Sequence, residues 1–122
     1  MEGRNTRSLG TAQETIACAF LEAQGYEILK RNYHNRMGEI DIVAKDHGVL
    51  VFVEVKYRSG EGAGRPGEAV GYRKQLKITK TAQYYLMEEV GCQDVDCRFD
   101  VVSIYKDQVE LIANAFEAVG LS

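Results

Sequence analysis

The chain has one proline, no tryptophan, three cysteines and no long apolar run, and each shortage closes off a class of protein. With so little proline and no biased or repeated segment, a Pro-rich linker, a solenoid and a low-complexity tail are excluded. The apolar stretches, 49–53 among them, are far too short to cross a bilayer, which takes about 20 residues. The first seven residues, Met-Glu-Gly-Arg-Asn-Thr-Arg, lack the apolar core of a signal peptide, so a cytoplasmic location and no membrane partner are expected. Cys18, Cys92 and Cys97 are odd in number and have no CxxC spacing, which implies neither a disulfide framework nor a zinc site. They read as small buried or half-buried side chains.

What is present suits one soluble domain. A length of 122 residues supports a single core, read here as one domain over 1–122 with a flexible tail at 1–8. The formal net charge of −3 argues against a nonspecific polyanion binder, but the average hides an asymmetry. Between positions 56 and 80 seven basic residues face two acidic ones, a local net of +5, which leaves −8 for the remainder. Such a basic segment can bind a polyanion locally or form a solvated helix face.

Periodicity divides the chain into seven elements. Ser8 or Thr11 can cap a first helix running to 24, closed by Gly25, with Leu9, Ala12, Ile16, Ala17, Phe20 and Leu21 as its apolar face. Strands are expected at 26–32, 39–45 and 49–57, the last two rich in Val and Ile. A loop with four glycines, 59–67, reads as a mobile flap. A second helix is expected at 68–90, with Tyr72, Leu76, Thr79, Ala82, Leu86 and Val90 along one face. Strands at 98–105 and 109–113 complete the order α-β-β-β-α-β-β, an α/β fold with helices covering a small mixed sheet.

The chemistry concentrates where the second and third strands meet. His47-Gly48 fits a two-residue hairpin turn, because Gly supplies positive φ freely and His tolerates it. With that turn, Asp41 opposes Glu54 and Glu39 opposes Lys56. Strand alternation then puts Leu50, Phe52, Glu54 and Lys56 on one face, with Glu54 and Lys56 roughly 6.6 Å apart along the strand. Directly paired carboxylates with Cβ atoms about 4.5–5.5 Å apart repel, and one pKa must rise unless a cation intervenes. A hard divalent ion, Mg2+ or Mn2+, resolves the repulsion and keeps positions open for water and phosphate. Lys56 can then orient or help deprotonate the attacking water, or neutralise charge on phosphate. The structural alternative is a cross-strand salt-bridge cluster in which Lys56 pairs with Glu39 or Glu54.

Asp41 followed by Glu54-Val55-Lys56 resembles the Asp…(Asp/Glu)-x-Lys motif of the restriction-endonuclease-like superfamily. More narrowly, Gly25-Tyr26, Arg31-Asn32-Tyr33, Gly38-Glu39-Ile40-Asp41, Val51-Phe52-Val53-Glu54-Val55-Lys56, Lys74-Gln75 and Arg98-Phe99-Asp100-Val101-Val102 resemble the YraN family of bacterial proteins, which is similar to archaeal Holliday-junction resolvases. The resemblance implies a restriction-endonuclease-like fold, with Asp41 and Glu54 as metal ligands, Lys56 as the catalytic lysine and the Val55 carbonyl completing the metal shell. It also matches Glu14 to a helical metal ligand, although Gln13 stands where the family usually has Gly. Glu14 is thus a metal ligand or a surface carboxylate. His34 stands where Arg is common, and both His34 and His47 read as structural. Gln75 matches a position that in the wider superfamily contacts the active-site water or DNA. The bland reading of Gln75 is a surface amide.

Glu39 is read as a partner that holds Lys56. Arg58, Arg65, Arg73, Lys74 and Lys77 are read as contacts to a nucleic-acid backbone around the glycine-rich flap. The expected function is metal-dependent endonucleolytic hydrolysis of DNA, of branched or junction form. A symmetric junction cut would require a homodimer. The alternatives are a non-catalytic nucleic-acid-binding module and an adaptor in DNA processing, both retaining the nuclease fold.

Overall fold

A computed structural model describes residues 2–58, 70–92 and 95–118, excepting the side chains of 2–11 and of Arg58. The expected element order holds. Helix α1 (Glu2–Ala23) is followed by strands β1 (Glu27–Asn35), β2 (Gly38–Asp46) and β3 (Val49–Arg58). Helix α2 (Tyr72–Tyr85), with a π-helical turn at Leu86–Val90, leads to β4 (Cys97–Tyr105) and β5 (Gln108–Phe116). The sheet runs β1-β2-β3-β4-β5 in chain order, antiparallel except for the β3–β4 pair, whose crossover carries α2.

Strand alternation gives the sheet two apolar faces, and each is covered by one helix. Ile42, Ala44, Val51, Val53, Val102 and Ile104 pack under Ala17 and Leu21 of α1. Val43, Phe52, Phe99 and Val101 pack under Ile78, Ala82, Tyr85 and Leu86 from α2 and its π-helical turn. The Tyr85 ring meets Phe52 and Tyr33 edge-on, at 5.8 and 5.1 Å between centroids. The β2–β3 turn forms as expected, with His47 at φ 52° and Gly48 at φ 86°. Gly25, at φ 99°, closes α1 as the Tyr26 N–H bonds back to the Leu21 carbonyl.

Several boundaries and faces differ from the sequence reading. Helix α1 reaches back to Glu2, past the start expected at Ser8 or Thr11. Helix α2 begins at Tyr72 behind Gly71, and 59–69 lie outside the described residues. Of the expected stripe, Thr79, Ala82 and Leu86 are buried, but its ends, Tyr72 and Val90, are exposed, while Ile78, Thr81 and Tyr85 widen the buried face. Two threonines lie within that face. Thr79 and Thr81 donate to the Gln75 and Lys77 carbonyls, so both hydroxyls can be buried at little cost. Ile16 of α1 is exposed, and so are Cys92 and Cys97, which lie at the ends of elements; only Cys18 is buried. Among the described residues, no helix is long and apolar enough to cross a membrane.

One buried polar network ties the end of α1 to β2, β4 and β5. The fully buried Asp100 accepts from the Tyr26 hydroxyl at 2.9 Å, from Arg98 Nε at 3.0 Å and from the Asn114 N–H at 2.8 Å. Arg98 Nη2 also donates to Tyr26 Oη and Asp46 Oδ2. Burial opposes the Arg98 charge, but these acceptors outweigh it and raise its pKa. Burial and the Asp100 carboxylate together push the Tyr26 hydroxyl up to about 12.

Candidate active site

β2 breaks its alternation at the residue that matters. Ile42 packs under α1, yet Ile40 packs under α2, although both should share a face in a regular strand. On β1, Asn32 stands opposite the break between the Arg31–Ile42 and Tyr33–Ile40 pairs, with φ at 52°. The β2–β3 ladder has the expected register but ends at the Ile42–Val53 pair. Asp41 therefore does not sit in a ladder pair with Glu54. Its carboxylate takes the Val55 N–H at 2.8 Å instead.

The two carboxyl groups still converge, close enough for a hydrogen bond between them. Glu54 continues the Leu50 and Phe52 row toward α2 and is 7% exposed. Its charge is met from above by Lys74, with Nζ 3.0 Å from Oε2. Burial pushes the Asp41 carboxyl above the usual range, against the pull of the Val55 amide and Lys74. Burial and then the Asp41 charge raise Glu54, while Lys74 and Lys56 draw it down. Burial opposes the Lys74 ammonium, but Glu54, Asp41 and Glu39 outweigh it and its pKa rises. Two desolvated, like-charged acids share one site with one close cation.

Glu39 does not face Lys56. It pairs with His34 across β1–β2, because the β2–β3 ladder has already ended, and it is exposed. Its charge is felt by Asp41, Glu14 and Lys74. Lys56 shares the Glu54 face by alternation and is partly buried beside it. Glu14 reaches Asp41 from α1; burial and then the Asp41 charge raise its pKa. Asp41 thus stands between Glu14 on one side and Glu54 on the other. The Gln75 side chain donates to the Val70 carbonyl at 2.8 Å, which fastens the start of α2. Arg73 and Lys77 are exposed on α2. Arg65 and the Arg58 side chain lie outside the described residues.

Lys74 is the residue whose place the sequence reading misses. That reading gives it to nucleic acid, yet it closes the ion pair with Glu54. A signal for this exists in the sequence: a Glu in the row of Leu50 and Phe52 lies under α2, and Lys74 stands one turn before the buried Ile78.

The model of the uncharacterised protein family UPF0102 matches residues 13–104. The chain belongs to that family. A UPF0102 protein of Lachnoclostridium phytofermentans is 51% identical over 116 residues, covering 95% of this chain and 98% of its own. One of Desulforapulum autotrophicum is 50% identical over 121 residues, covering 96% and 98%. One of Symbiobacterium thermophilum is 47% identical over 118 residues, covering 93% and 99%. The UPF0102 match contains Glu14, Asp41, Glu54, Lys56 and Lys74 alike.

Among the described residues, no three His, Cys, Asp or Glu side chains come together as a ready metal cage. The donor set nonetheless suits Mg2+, which binds through one or two carboxylates and keeps water and phosphate in its other positions. Asp41 and Glu54 would supply those two, and their mutual repulsion would favour a divalent cation.

The raised acids make a stability prediction. A folded carboxyl with a raised pKa holds a proton that the unfolded chain releases, so stability falls as pH rises from about 4 through the folded value. Asp41→Asn removes one of the two charges and keeps an acceptor for the Val55 amide. It is expected to stabilise the fold by about 1 kcal/mol at pH 7–8, with the gain vanishing below pH ~4. Urea titrations at pH 3.5 and 7.5 measure both numbers. A loss of stability at pH 7.5 would refute the account.

Proposed function

We propose that this UPF0102 protein is a metal-dependent nuclease of the restriction-endonuclease-like type, hydrolysing phosphodiesters in DNA. The observation that carries the reading is the convergence of Asp41 and Glu54, two desolvated carboxyl groups, beside Lys56 and below Lys74. A protein built only for stability gains little from burying two acids against each other. A mixed five-stranded sheet between two helices, with the motif on β2 and β3, accords with the superfamily resemblance.

On this reading Asp41 and Glu54 hold Mg2+ or Mn2+, with the Val55 carbonyl beside them and Glu14 behind Asp41. The ion would supply Lewis-acid polarisation of the phosphoryl group and lower the pKa of the attacking water. Lys56 donates to the charge that develops on the phosphoryl oxygens, and partial burial makes that contact stronger than it would be in water. Lys74, when drawn from Glu54, is placed to meet a phosphate, with Arg73 and Lys77 extending the positive surface of α2. A symmetric cut in branched DNA would take two copies of the chain.

The test is a cleavage panel of linear duplex, flap and four-way-junction DNA, each with Mg2+, Mn2+ or chelator. Cleavage of at least one substrate is expected with metal and none with chelator. A second reading, a binding module without catalysis, is favoured by the Glu54–Lys74 ion pair, which balances the buried charge within the chain. It gains the field if no substrate is cut while DNA affinity persists in chelator.

A further inference from the structure

A groove of about 570 Å³ opens between the β1–β2 turn and α2, bounded by Arg36, Gly38, Lys77, Glu39 and Lys74 among others. Its end at Glu39 and Lys74 abuts the carboxylate pair, since Lys74 holds Glu54 and Glu39 acts on Asp41. Small-molecule sites are lined mainly by apolar side chains. Among the described lining residues only Met37 and Ile78 are apolar, and the walls carry the ammonium and guanidinium groups of Lys74, Lys77 and Arg36 against the single carboxylate of Glu39. Among the described residues neither Arg36 nor Lys77 has an ion-pair partner. In a chain of net charge −3, unpaired cations gathered along one groove form a local anion-binding surface.

The groove is also held in shape. Asn35 clamps the turn: its Nδ2 donates to the Tyr33 hydroxyl at 2.7 Å and to the Thr81 carbonyl of α2 at 3.2 Å. Its Oδ1 accepts the Met37 N–H at 2.8 Å. Tyr33 in turn stands edge-on to Tyr85 in the core. Gly38 sets the spacing between the walls. A Cβ there would lie 2.7 Å from Thr81 Oγ1 and 3.1 Å from Lys77 Cγ, so the missing side chain lets the Lys77 stem lie across the strand. A pre-shaped cationic groove binds an extended anion at less entropic cost than free surface lysines would.

We propose that this groove seats the sugar–phosphate backbone of a nucleic acid, with Arg36 and Lys77 as phosphate contacts, and leads it to the Asp41–Glu54 pair. The inference rests on the nuclease reading for the purpose of the groove but not for its measurement. Arg36 and the β1–β2 turn then carry part of the affinity that the sequence reading gives to the glycine-rich flap. A strand entering past Arg36 runs along Lys77 toward Lys74, which can exchange Glu54 for a phosphate.

The experiment measures binding in chelator, where no cleavage intervenes. Labelled oligonucleotides of one sequence, as single-stranded DNA, duplex DNA and single-stranded RNA, are titrated by fluorescence anisotropy between 50 and 200 mM salt. Arg36→Ala/Lys77→Ala is compared with Lys45→Ala/Lys106→Ala, which removes equal charge from the far end of β2 and from the β4–β5 turn. The groove variant is expected to weaken binding about tenfold and to lower the salt slope by about two, one for each phosphate no longer neutralised. The control should stay within about twofold of wild type, and the three probes tell which nucleic acid is preferred. Circular dichroism verifies that both variants are folded.

Unchanged affinity in the groove variant overturns the proposal, as does equal weakening in both variants or no binding of any probe by wild type. Binding through the groove by a protein that cuts nothing keeps the groove and removes the nuclease. Cleavage by a protein whose groove variant binds and cuts normally does the reverse.

Discussion

Glu54→Gln and Lys56→Ala are each expected to slow metal-dependent DNA cleavage by about 10³-fold or more, on the order of 4 kcal/mol in the barrier. Glu54 is 7% exposed, so the charge it offers a cation is poorly screened. Glutamine keeps its shape and removes that charge. Lys56 lies on the same strand face two residues on, and alanine removes its ammonium without touching the core beneath Phe52. Groups that act as a unit are not additive, so the double variant should be about as slow as the slower single one. Asp41→Asn belongs to the same unit and should lose activity while gaining stability, which separates a lost function from a lost fold. Single-turnover cleavage of whichever DNA wild type cuts best gives the rates. Retention of a tenth of the wild-type rate by either variant would remove that residue from the mechanism.

Asp100→Ala is expected to cost about 3–5 kcal/mol, the usual penalty when one partner of a buried ion pair is deleted. The carboxylate has no exposed surface and receives three donors from three parts of the chain: Tyr26 after α1, Arg98 on β4 and Asn114 on β5. Alanine leaves those donors facing a small void. Arg98 retains only Asp46 and the Tyr26 hydroxyl. Domains of this size are stable by about 5–15 kcal/mol, so the melting temperature should drop by roughly 10–20 °C. Thermal melts followed by circular dichroism provide the measurement, and a loss under 1 kcal/mol would contradict the energetic account. Asp100→Asn, which keeps the shape and one acceptor, should fall between.

Much of this architecture is written locally. Period-two apolar residues mark β2, β3 and β4, and His47-Gly48 fixes the β2–β3 register through its two left-handed residues. That register places Glu54 on the α2 face and makes its convergence with Asp41 readable. The opposition of Glu39 and Lys56 fails because it assumes a ladder that continues past Ile42–Val53. Strand splaying depends on tertiary packing: Ile40 turns into the core under α2, and Asn32 adopts a left-handed backbone across from Asp41. Neither leaves a period in the sequence. Lys74 escapes for a related reason. Its role requires knowing which face of α2 is turned inward, and the expected stripe leads with Tyr72, which is exposed. The Tyr26–Asp100 hydrogen bond is visible only as two pieces of a family string, since a partner 74 residues away cannot be seen from spacing.

The Glu54–Lys74 contact would separate the assembly of this scaffold from the supply of the proposed ion. In a zinc finger the cation is the keystone, and the ligands fly apart when it is withheld. Here the buried acid already has an ammonium at 3.0 Å, supplied by the helix that covers the sheet. On the proposed reading, newly made chains would therefore reach their mature shape while magnesium is scarce, and loading would be a late, reversible event rather than a condition of folding.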